Sequence, residues 1–407
     1  MVALAGVLAG GGCRPQDPGN DDPRCRKDTD CGENEHCTDG ACAPTPPGEV
    51  VSEAIVGPDV LPSLRWDYDT GAAITGRPVV VDGQVPTVWV ANHAGRVLSL
   101  ATAADASPRV RAEALVDGIV WGHPMRDASG RLWLGADDDT LYGIDDDGTI
   151  AVRVRLGDCD PPRAPGPEGT RCDVDGGPTL VKGGDMLVGA DGVYRIGPDG
   201  AIRWHTPSGD GVRASHVYST PAHIGDLVVF GGYDGKITAL SEAGEPRWVF
   251  AVGADVDGSP VAGPSGDIYV GADDGKLYAL TPAGALRWSW ATKAGIRTAA
   301  TVAEDGTIYV ASMDGTIVAL DPAGKRRWSF AAGGPIVAAP VLDKRGTLYF
   351  GSQDDKLYAL GPKGALVWAL EFPSDIDAPV AITGDGALVV ACDDGVVRAL
   401  AAKPEAR

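Results

Sequence analysis

A 40-residue repeat is the feature that most limits how this 407-residue chain can fold. The segments that carry it are YDGKITAL, DDGKLYAL, MDGTIVAL, QDDKLYAL and DDGVVRAL, which start at Tyr233, Asp273, Met313, Gln353 and Asp393. A tryptophan recurs with the same step at positions 248, 288, 328 and 368. Repeats of about 40 residues that are rich in glycine, aspartate and β-branched residues are typical of four-stranded propeller blades rather than of helical or horseshoe repeats.

Each unit predicts four antiparallel strands. In one unit, an inner strand begins at Asp257, and further strands cover 267–272, 276–280 and 286–290. The pair Asp274-Gly275 predicts a two-residue type I′ hairpin turn, which needs positive φ at both positions. The repeating tryptophans are expected to pack between blades. Cys392 replaces alanine, glycine or serine of the other units, so we expect it to be a small buried residue.

Looser copies begin at Thr87, Arg131 and Asp185 and bring the count to eight, with second strands near positions 88, 132, 186, 227, 268, 308, 348 and 388. The last unit ends near Leu400 without a fourth strand, whereas Leu64-Arg65-Trp66 matches the fourth-strand sequence Leu286-Arg287-Trp288. We therefore expect an all-β fold, an eight-bladed β-propeller over residues 63–400 that an N-terminal strand closes into a ring. Such closure removes exposed sheet edges.

The net charge argues against nucleic acids and against anionic lipid surfaces as partners. The chain has 35 Lys and Arg against 56 Asp and Glu, a formal charge of −21. Nucleic acids and anionic lipid surfaces are bound through basic patches. We therefore expect no nucleic-acid partner, and contact with a membrane only through a lipid anchor.

The first 12 residues predict a signal peptide, because they are small and apolar but too short to span a bilayer. Cys13 follows directly, and the segment resembles a bacterial lipoprotein signal, in which the chain is cleaved before a cysteine that is then acylated. The resemblance implies lipidation at Cys13. Plain secretion and a chance apolar start are the alternatives.

Residues 13–50 predict a cysteine-rich stalk that ends in a proline-rich linker over 43–50. This segment has almost no large apolar residues, so disulfides formed in an oxidising compartment are the favoured interpretation of its cysteines, and zinc is the alternative. It resembles the Dickkopf-like segments that follow lipoprotein signals in some bacteria. A further disulfide is expected to close the loop 157–174, worth roughly 3 kcal/mol. The disulfide candidates are Cys25, Cys31, Cys37, Cys42, Cys159 and Cys172.

Acidic side chains are predicted to surround one mouth of the central channel, because inner strands line the channel of a propeller. The candidate binding residues are Trp121, Asp173, Asp175, Tyr218, Asp255, Asp257, Arg297, Asp375 and Asp377. The hairpin aspartates are expected on the same face, at positions 138, 191, 234, 274, 314, 354 and 394. This face is interpreted as a solvated rim, as a protein-docking surface, or as a calcium site at Asp175, Asp257 and Asp377, since calcium takes six to eight oxygen ligands. The loops 157–174 and 206–217 are expected to flank it.

The units resemble the repeats of pyrroloquinoline-quinone-like propellers, whose pattern is close to Tyr-Val-Gly-x-x-Asp-Gly-Lys-Leu-Tyr-Ala-Leu followed by Gly and Trp. One branch of that superfamily contains quinone-dependent dehydrogenases, another the BamB-like lipoprotein of the outer-membrane barrel-assembly machinery, and a third sensor propellers. The enzymes' family pattern includes adjacent cysteines, calcium ligands and a catalytic aspartate, and this chain has no adjacent cysteines.

The resemblance implies a non-catalytic lipoprotein of the bacterial cell envelope, anchored in the outer membrane, without catalytic residues or a quinone cofactor. Such a monomer would bind envelope proteins through its acidic loop face. Two alternatives remain open. One is a ligand-, glycan- or cation-binding sensor that uses the channel mouth, and the other is a quinone-dependent dehydrogenase.

Overall fold

The computed structural model describes residues 57–58, 60–83, 85–103, 106–157, 173–209 and 216–401, together with two short paired strands, β1 (Glu35–Thr38) and β2 (Ala41–Pro44). The described residues form no helix, so none is long and apolar enough to span a membrane. Beyond β1 and β2, their strands form eight four-stranded sheets that are arranged as the blades of a propeller. The prediction of an eight-bladed all-β propeller is confirmed.

The first four blades follow the chain in order. Blade 1 contains β4 (Val79–Val81), β5 (Thr87–Ala91), β6 (Arg96–Ala103) and β7 (Ala106–Leu115). Blade 2 contains β8 (Met125–Arg126), β9 (Leu132–Ala136), β10 (Thr140–Ile144) and β11 (Ile150–Arg155). Blade 3 contains β12 (Thr179–Leu180), β13 (Met186–Gly189), β14 (Gly192–Ile196) and β15 (Ile202–Pro207). Blade 4 contains β16 (Ala222–Ile224), β17 (Leu227–Gly232), β18 (Lys236–Ser241) and β19 (Pro246–Ala251).

The remaining blades keep the same order until the ring closes. Blade 5 contains β20 (Val261–Ala262), β21 (Ile268–Gly271), β22 (Lys276–Leu280) and β23 (Leu286–Ala291). Blade 6 contains β24 (Thr301–Val302), β25 (Ile308–Ala311), β26 (Thr316–Leu320) and β27 (Arg326–Ala331). Blade 7 contains β28 (Val341–Leu342), β29 (Leu348–Ser352), β30 (Lys356–Leu360) and β31 (Leu366–Glu371). Blade 8 contains β32 (Ala381–Ile382), β33 (Leu388–Ala391), β34 (Val396–Ala401) and, as its outer strand, β3 (Ser63–Asp69).

Burial follows the position of a strand within its blade. Second strands such as β21 are buried throughout, because both of their faces pack against neighbouring blades. Outer strands such as β23 alternate between exposed and half-buried residues, as expected for the rim of the disc. Inner strands contain only two or three residues. The predicted inner strand from Asp257 is therefore too long, and that residue lies in the segment before β20.

The hairpin loop between second and third strands differs from the predicted type I′ turn. In blade 5 the amide of Gly275 donates to the carbonyl of Ala272 at 3.1 Å, and the amide of Ala272 donates to the carbonyl of Lys276 at 3.1 Å. Gly275 has φ +76°, whereas Asp274 is not among the residues with positive φ. The prediction of a two-residue turn was wrong. The loop has three residues, a tight turn followed by a glycine in the left-handed region.

The repeating tryptophans join neighbouring blades, as predicted. The indole Nε1 of Trp288 donates to the carbonyl of Pro322 in the next blade at 3.0 Å, and its ring lies against Gly324. Trp248 and Trp328 make the same contacts to the blades that follow them. In blade 7 the acceptor comes from elsewhere in the chain, because Trp368 Nε1 donates to the carbonyl of Pro58 at 3.1 Å.

The N-terminal strand closes the ring, as the sequence predicted. β3 pairs antiparallel with β34, and the amide of Thr70 donates to the carbonyl of Gly395 at 2.9 Å. Trp66 of this strand packs in one buried cluster with Val88 of blade 1 and Val389 of blade 8. Cys392 is fully buried in the adjoining cluster, as predicted, and burial raises the pKa of its thiol to about 12.

Candidate functional site

Eight connecting segments cross one face of the disc, each from the outer strand of a blade to the inner strand of the next. Every segment carries one fully buried aliphatic residue at the same place: Ile74, Val120, Val174, Val217, Val256, Ile296, Ile336 and Ile376. Val256 shows how tightly this position is fitted, since a Cβ on Gly231 of blade 4 would lie 2.3 Å from Cγ1 of Val256. These eight residues form a constant framework around the channel mouth.

The residues beside this framework differ from blade to blade. Those that follow the buried aliphatic residue are Thr75, Trp121, Asp175, Tyr218, Asp257, Arg297, Val337 and Asp377. Seven blades add the first residue of the hairpin loop, and these are His93, Asp137, Tyr233, Asp273, Met313, Gln353 and Asp393. The hairpin of blade 3 is two residues shorter and adds none. A mouth triplet consists of the first hairpin-loop residue of one blade and the two residues that flank the buried aliphatic residue of the segment leading to the next blade. Each triplet is numbered by these two blades, so that triplet 2/3 joins blades 2 and 3.

Mouth triplet 2/3 consists of Asp137, Asp173 and Asp175, and each of the three offers a carboxylate oxygen within 4.8 Å of the other two. The side chain of Asp175 is only 8% exposed, and its Oδ2 lies 3.0 Å from Nε2 of His216. Trp121 Nε1 donates to Oδ2 of Asp137 at 3.2 Å. Burial raises the pKa of Asp137 to about 7, and the neighbouring carboxyl of Asp175 adds to the shift.

Mouth triplet 5/6 has Asp273, Gly295 and Arg297 at the same three places. Arg297 donates from Nε and Nη2 to the two carboxylate oxygens of Asp273, at 2.8 and 2.7 Å. The same guanidinium lies 3.6 Å from Asp257 of the preceding triplet. Burial raises the pKa of Asp257 to about 6, the charge of Asp273 adds to the shift, and Arg297 opposes it.

Mouth triplet 7/8 has Gln353, Asp375 and Asp377. The Gln353 amide nitrogen lies 3.2 and 3.0 Å from the two oxygens of Asp377, to which it donates. In the neighbouring triplet, burial raises the pKa of Asp393 to about 6, and the charges of Asp377 and Asp375 contribute. The carboxylates of this region are therefore close enough to interact.

Aromatic rings lie between the acidic groups of triplets 2/3 and 5/6. The rings of Tyr218 and Tyr233 stack with centroids 6.2 Å apart, and His216 meets the edge of Tyr233 at 5.5 Å. Burial and then the negative charges of Asp175 and Asp257 raise the pKa of Tyr218 to about 12. The side chains thus form a nearly continuous belt along this half of the channel mouth.

The hairpin aspartates on the same face mainly hold the hairpins together. Tyr278 donates its hydroxyl to Asp274 at 2.6 Å, and Tyr358 donates to Asp354 at 2.5 Å. In blade 8, Arg398 takes the place of the tyrosine and donates to Asp394. These carboxylates have partners within their own blades, unlike the carboxylates of triplet 2/3, which meet across a blade boundary.

The structure does not bring together the three residues of the predicted calcium site, Asp175, Asp257 and Asp377. Asp175 joins Asp173 and Asp137, which is the one group of three candidate metal-ligating residues found within the described part of the chain. Asp257 and Asp377 do not belong to it, since they contact Arg297 and Gln353 instead. Equivalent repeat positions are spread around a ring, so they do not converge on one ion.

Sequence reasoning missed several residues of the channel mouth, namely Asp137, His216, Tyr233, Asp273, Gln353 and Asp393. All but one of them could have been found by aligning the repeats, because they are the first residues of the hairpin loops. His216 directly precedes the buried Val217, as Asp255 precedes Val256, but the extension over 206–217 hides this equivalence.

The predictions for the cysteines and the long loops stay predictions. Cys13, Cys25, Cys31, Cys159 and Cys172 lie outside the described residues, as do residues 158–172 and 210–215 within the two long loops. Cys37 and Cys42 are direct backbone partners in the register of β1 and β2.

Comparisons with known proteins agree on the fold. BamB from Moraxella catarrhalis superposes with a TM-score of 0.65 at 16% identity, covering 84% of this chain and 100% of that one. The quinohemoprotein alcohol dehydrogenase from Comamonas testosteroni superposes with a TM-score of 0.65 at 14% identity, covering 85% of this chain and 77% of that one. A europium-containing methanol dehydrogenase gives 0.62 at 15% identity, covering 81% of this chain and 84% of that one. At these identities the likeness shows the fold alone.

Sequence comparison supplies the family. No curated protein matches the chain significantly. A family model described as outer membrane protein assembly factor BamB matches residues 121–300, 274–345 and 313–404, which together span more than half of the chain. The chain therefore belongs to this BamB family of quinone-type repeat propellers.

Proposed function

We propose that this protein is a non-catalytic docking propeller whose channel mouth receives a cationic segment of a partner protein. The observation that carries the proposal is the contrast between framework and mouth. The buried framework position is isoleucine or valine in all eight connecting segments, whereas the residue after it is threonine, tryptophan, aspartate, tyrosine, arginine or valine. Packing fixes the framework residue, whereas the position beside it is available for side chains that serve binding.

The chemistry of the mouth favours a cationic partner. Arg297 is the one lysine or arginine among the triplet residues. Nine aspartates belong to the triplets, and these are Asp137, Asp173, Asp175, Asp255, Asp257, Asp273, Asp375, Asp377 and Asp393. Tyr233 lies among them with 37% of its surface exposed. Carboxylates next to an aromatic face attract lysine and arginine side chains through charge and cation–π contacts.

Crosslinking in cells tests the docking surface. A photoreactive phenylalanine analogue at Tyr233 is expected to give reproducible protein adducts, whereas the same analogue at Val249, on an outer strand and 56% exposed, is expected to give none. The double variant Asp255→Asn/Asp375→Asn should reduce the adduct yield about tenfold by removing two mouth charges. The matched variant Glu242→Gln/Glu245→Gln removes two charges from a loop on the opposite face and should leave the yield unchanged. Equal losses in both double variants would contradict a mouth-specific site.

We also propose that the protein works in the bacterial envelope, anchored through a lipid on Cys13 in the outer membrane. The description of its family as an outer membrane assembly factor and the lipoprotein-like segment before Cys13 support this location. Cys13→Ser is expected to move the protein from the membrane fraction to the soluble fraction. An unchanged distribution would contradict lipid anchoring.

The absence of catalysis is part of the proposal, since two of the solved structures of similar fold are dehydrogenases. The lack of adjacent cysteines in the sequence supports it. Purified protein supplied with pyrroloquinoline quinone, calcium and a primary alcohol is expected to reduce no dye. Turnover that depends on the quinone would show that the chain is an enzyme.

A further inference from the structure

We propose that mouth triplet 2/3 binds a divalent cation of the calcium class, with Asp137, Asp173 and Asp175 as its protein ligands. Each residue offers a carboxylate oxygen, and these atoms lie within 4.8 Å of one another. Calcium–oxygen bonds are about 2.3–2.6 Å long, so two oxygens on opposite sides of one ion are about 5 Å apart. A single ion can therefore contact all three side chains.

A second observation, the buried oxygen of Asp175 that lacks a hydrogen-bond partner, points to a bound ligand. One oxygen of this carboxylate, Oδ2, faces His216 Nε2 at 3.0 Å. The other, Oδ1, is buried and has no hydrogen-bond partner among the described residues, on a side chain that is only 8% exposed. Leaving a buried charged oxygen without a partner is costly, and a bound cation removes that cost. His216 would then orient the ligand from behind, as groups behind metal ligands commonly do.

The other triplets provide an internal control. In triplet 5/6, the place of Asp175 is taken by Arg297, whose guanidinium lies 2.7 Å from Asp273. In triplet 7/8, the place of Asp137 is taken by Gln353, which donates to Asp377. In those two triplets the carboxylates are therefore stabilised by a guanidinium or by an amide hydrogen-bond donor. Triplet 2/3 has carboxylates at all three places, with neither a cation nor an amide donor among its three residues.

The donor set favours calcium or a similar hard ion. Carboxylate oxygens suit calcium, magnesium and manganese, whereas zinc and copper sites use histidine and cysteine more often. Three carboxylates leave several coordination positions of a calcium ion for water. Extracellular calcium modules bind in the range of about 10⁻⁴–10⁻³ M, and we expect an affinity in that range.

Terbium luminescence tests the site on the full chain after treatment with a chelator. Terbium replaces calcium in oxygen sites and emits when a nearby tryptophan is excited, and Trp121 already contacts Asp137. We expect one saturable terbium signal that calcium displaces, and a calcium-dependent rise in melting temperature by linkage. Trp121→Phe should abolish most of the emission while calorimetry still detects calcium binding.

Matched variants locate the ion. Asp137→Asn and Asp175→Asn are each expected to weaken calcium binding by at least about tenfold, because each removes one of three charged ligands. Asp377→Asn, at the place in triplet 7/8 that corresponds to Asp175, should leave the affinity unchanged. Without calcium, Asp137→Asn and Asp175→Asn should melt no lower than the wild type, since each relieves like-charge repulsion, so that weaker binding is not mistaken for unfolding.

Three outcomes would overturn the site. They are no saturable binding up to millimolar calcium, unchanged affinity in both triplet 2/3 variants, or an equal loss of affinity in Asp377→Asn, which would indicate a general attraction to the acidic face. The proposal is independent of protein docking, because the crosslinks at Tyr233 and the calcium affinity are separate readouts.

Discussion

Mouth triplets 2/3 and 5/6 occupy equivalent places in the ring, yet they carry side chains of opposite charge at the third place. In triplet 5/6 the guanidinium of Arg297 binds both oxygens of Asp273. In triplet 2/3 the corresponding residue is Asp175, which adds a carboxylate next to Asp137. The comparison teaches that the repeat determines where three side chains meet, whereas one residue determines whether the cluster is neutralised from within.

The backbone does not cause this difference. The backbone amides of the buried framework residues Val174 and Ile296 both donate to the carbonyl of the alanine just before the hairpin loop, Ala136 or Ala272. The first hairpin residue is aspartate in both triplets. This difference lies in one side chain of the triplet, which is Arg297 in triplet 5/6 and Asp175 in triplet 2/3.

The largest effect is expected from removing the internal cation. Arg297→Ala leaves Asp273 without its two-pronged donor and Asp257 without a positive charge at 3.6 Å. Because Arg297 is half exposed, we expect the free energy of unfolding to fall by about 2 kcal/mol at neutral pH, less than for a fully buried pair. Arg153→Ala is the matched control, because the Arg153–Asp117 pair is mostly exposed and such pairs contribute less than about 1 kcal/mol. Urea unfolding measures both variants. Equal losses would show that the mouth pair is no stronger than a surface pair.

A smaller effect is expected from Asp257→Asn, and it depends on pH. The pKa of Asp257 is raised to about 6 in the folded protein, so the folded state holds this proton more tightly than the unfolded state. Its contribution to stability is therefore full below about pH 4 and is lost as the pH rises through 6. The variant lacks this loss, and its stability relative to the wild type should rise by roughly 1–2 kcal/mol between pH 4 and pH 7. Parallel stability curves would contradict the raised pKa.

The smallest effect is expected at triplet 7/8. Gln353→Met introduces the residue that blade 6 has at the same place, Met313, and removes the donor to Asp377. We expect a loss of about 1 kcal/mol in the free energy of unfolding. The reciprocal Met313→Gln should change stability by less than about 0.5 kcal/mol, because its triplet contains Pro335 and Val337 and no carboxylate. A larger loss in the reciprocal variant would show that methionine packing, not the hydrogen bond, dominates at this place.

The sequence predicts the fold well because the information is periodic. The 40-residue step places the last five second strands, looser copies of the repeat place the first three, and the match between residues 64–66 and 286–288 predicts the closing strand. The error in the hairpin loop has a local cause. Asp-Gly suits both a two-residue loop and a three-residue loop, and only the φ of Asp274 distinguishes them.

The site is less predictable because its contacts cross blade boundaries. Periodicity identifies residues in equivalent places, such as Asp175, Asp257 and Asp377, and a ring keeps those apart. Residues that meet, such as Asp137 and Asp175, come from different places in consecutive repeats. Their contact depends on how closely a connecting segment approaches the hairpin loop of the preceding blade. The repeat pattern does not encode that distance.

The contact between Pro58 and Trp368 has a mechanical consequence. Thr70 and Gly395, which are hydrogen-bonded across the closing sheet, lie 325 residues apart, and closing so long a chain segment costs roughly 5 kcal/mol of entropy. A ribosome completes β3 long before β34 exists, so the seam is expected to form last. Tension applied through residues 57 and 58 would reach Trp368, Asp343 and the β3–β34 pairing first. The strand that completes the ring is thus also the point at which a pulled molecule would begin to open.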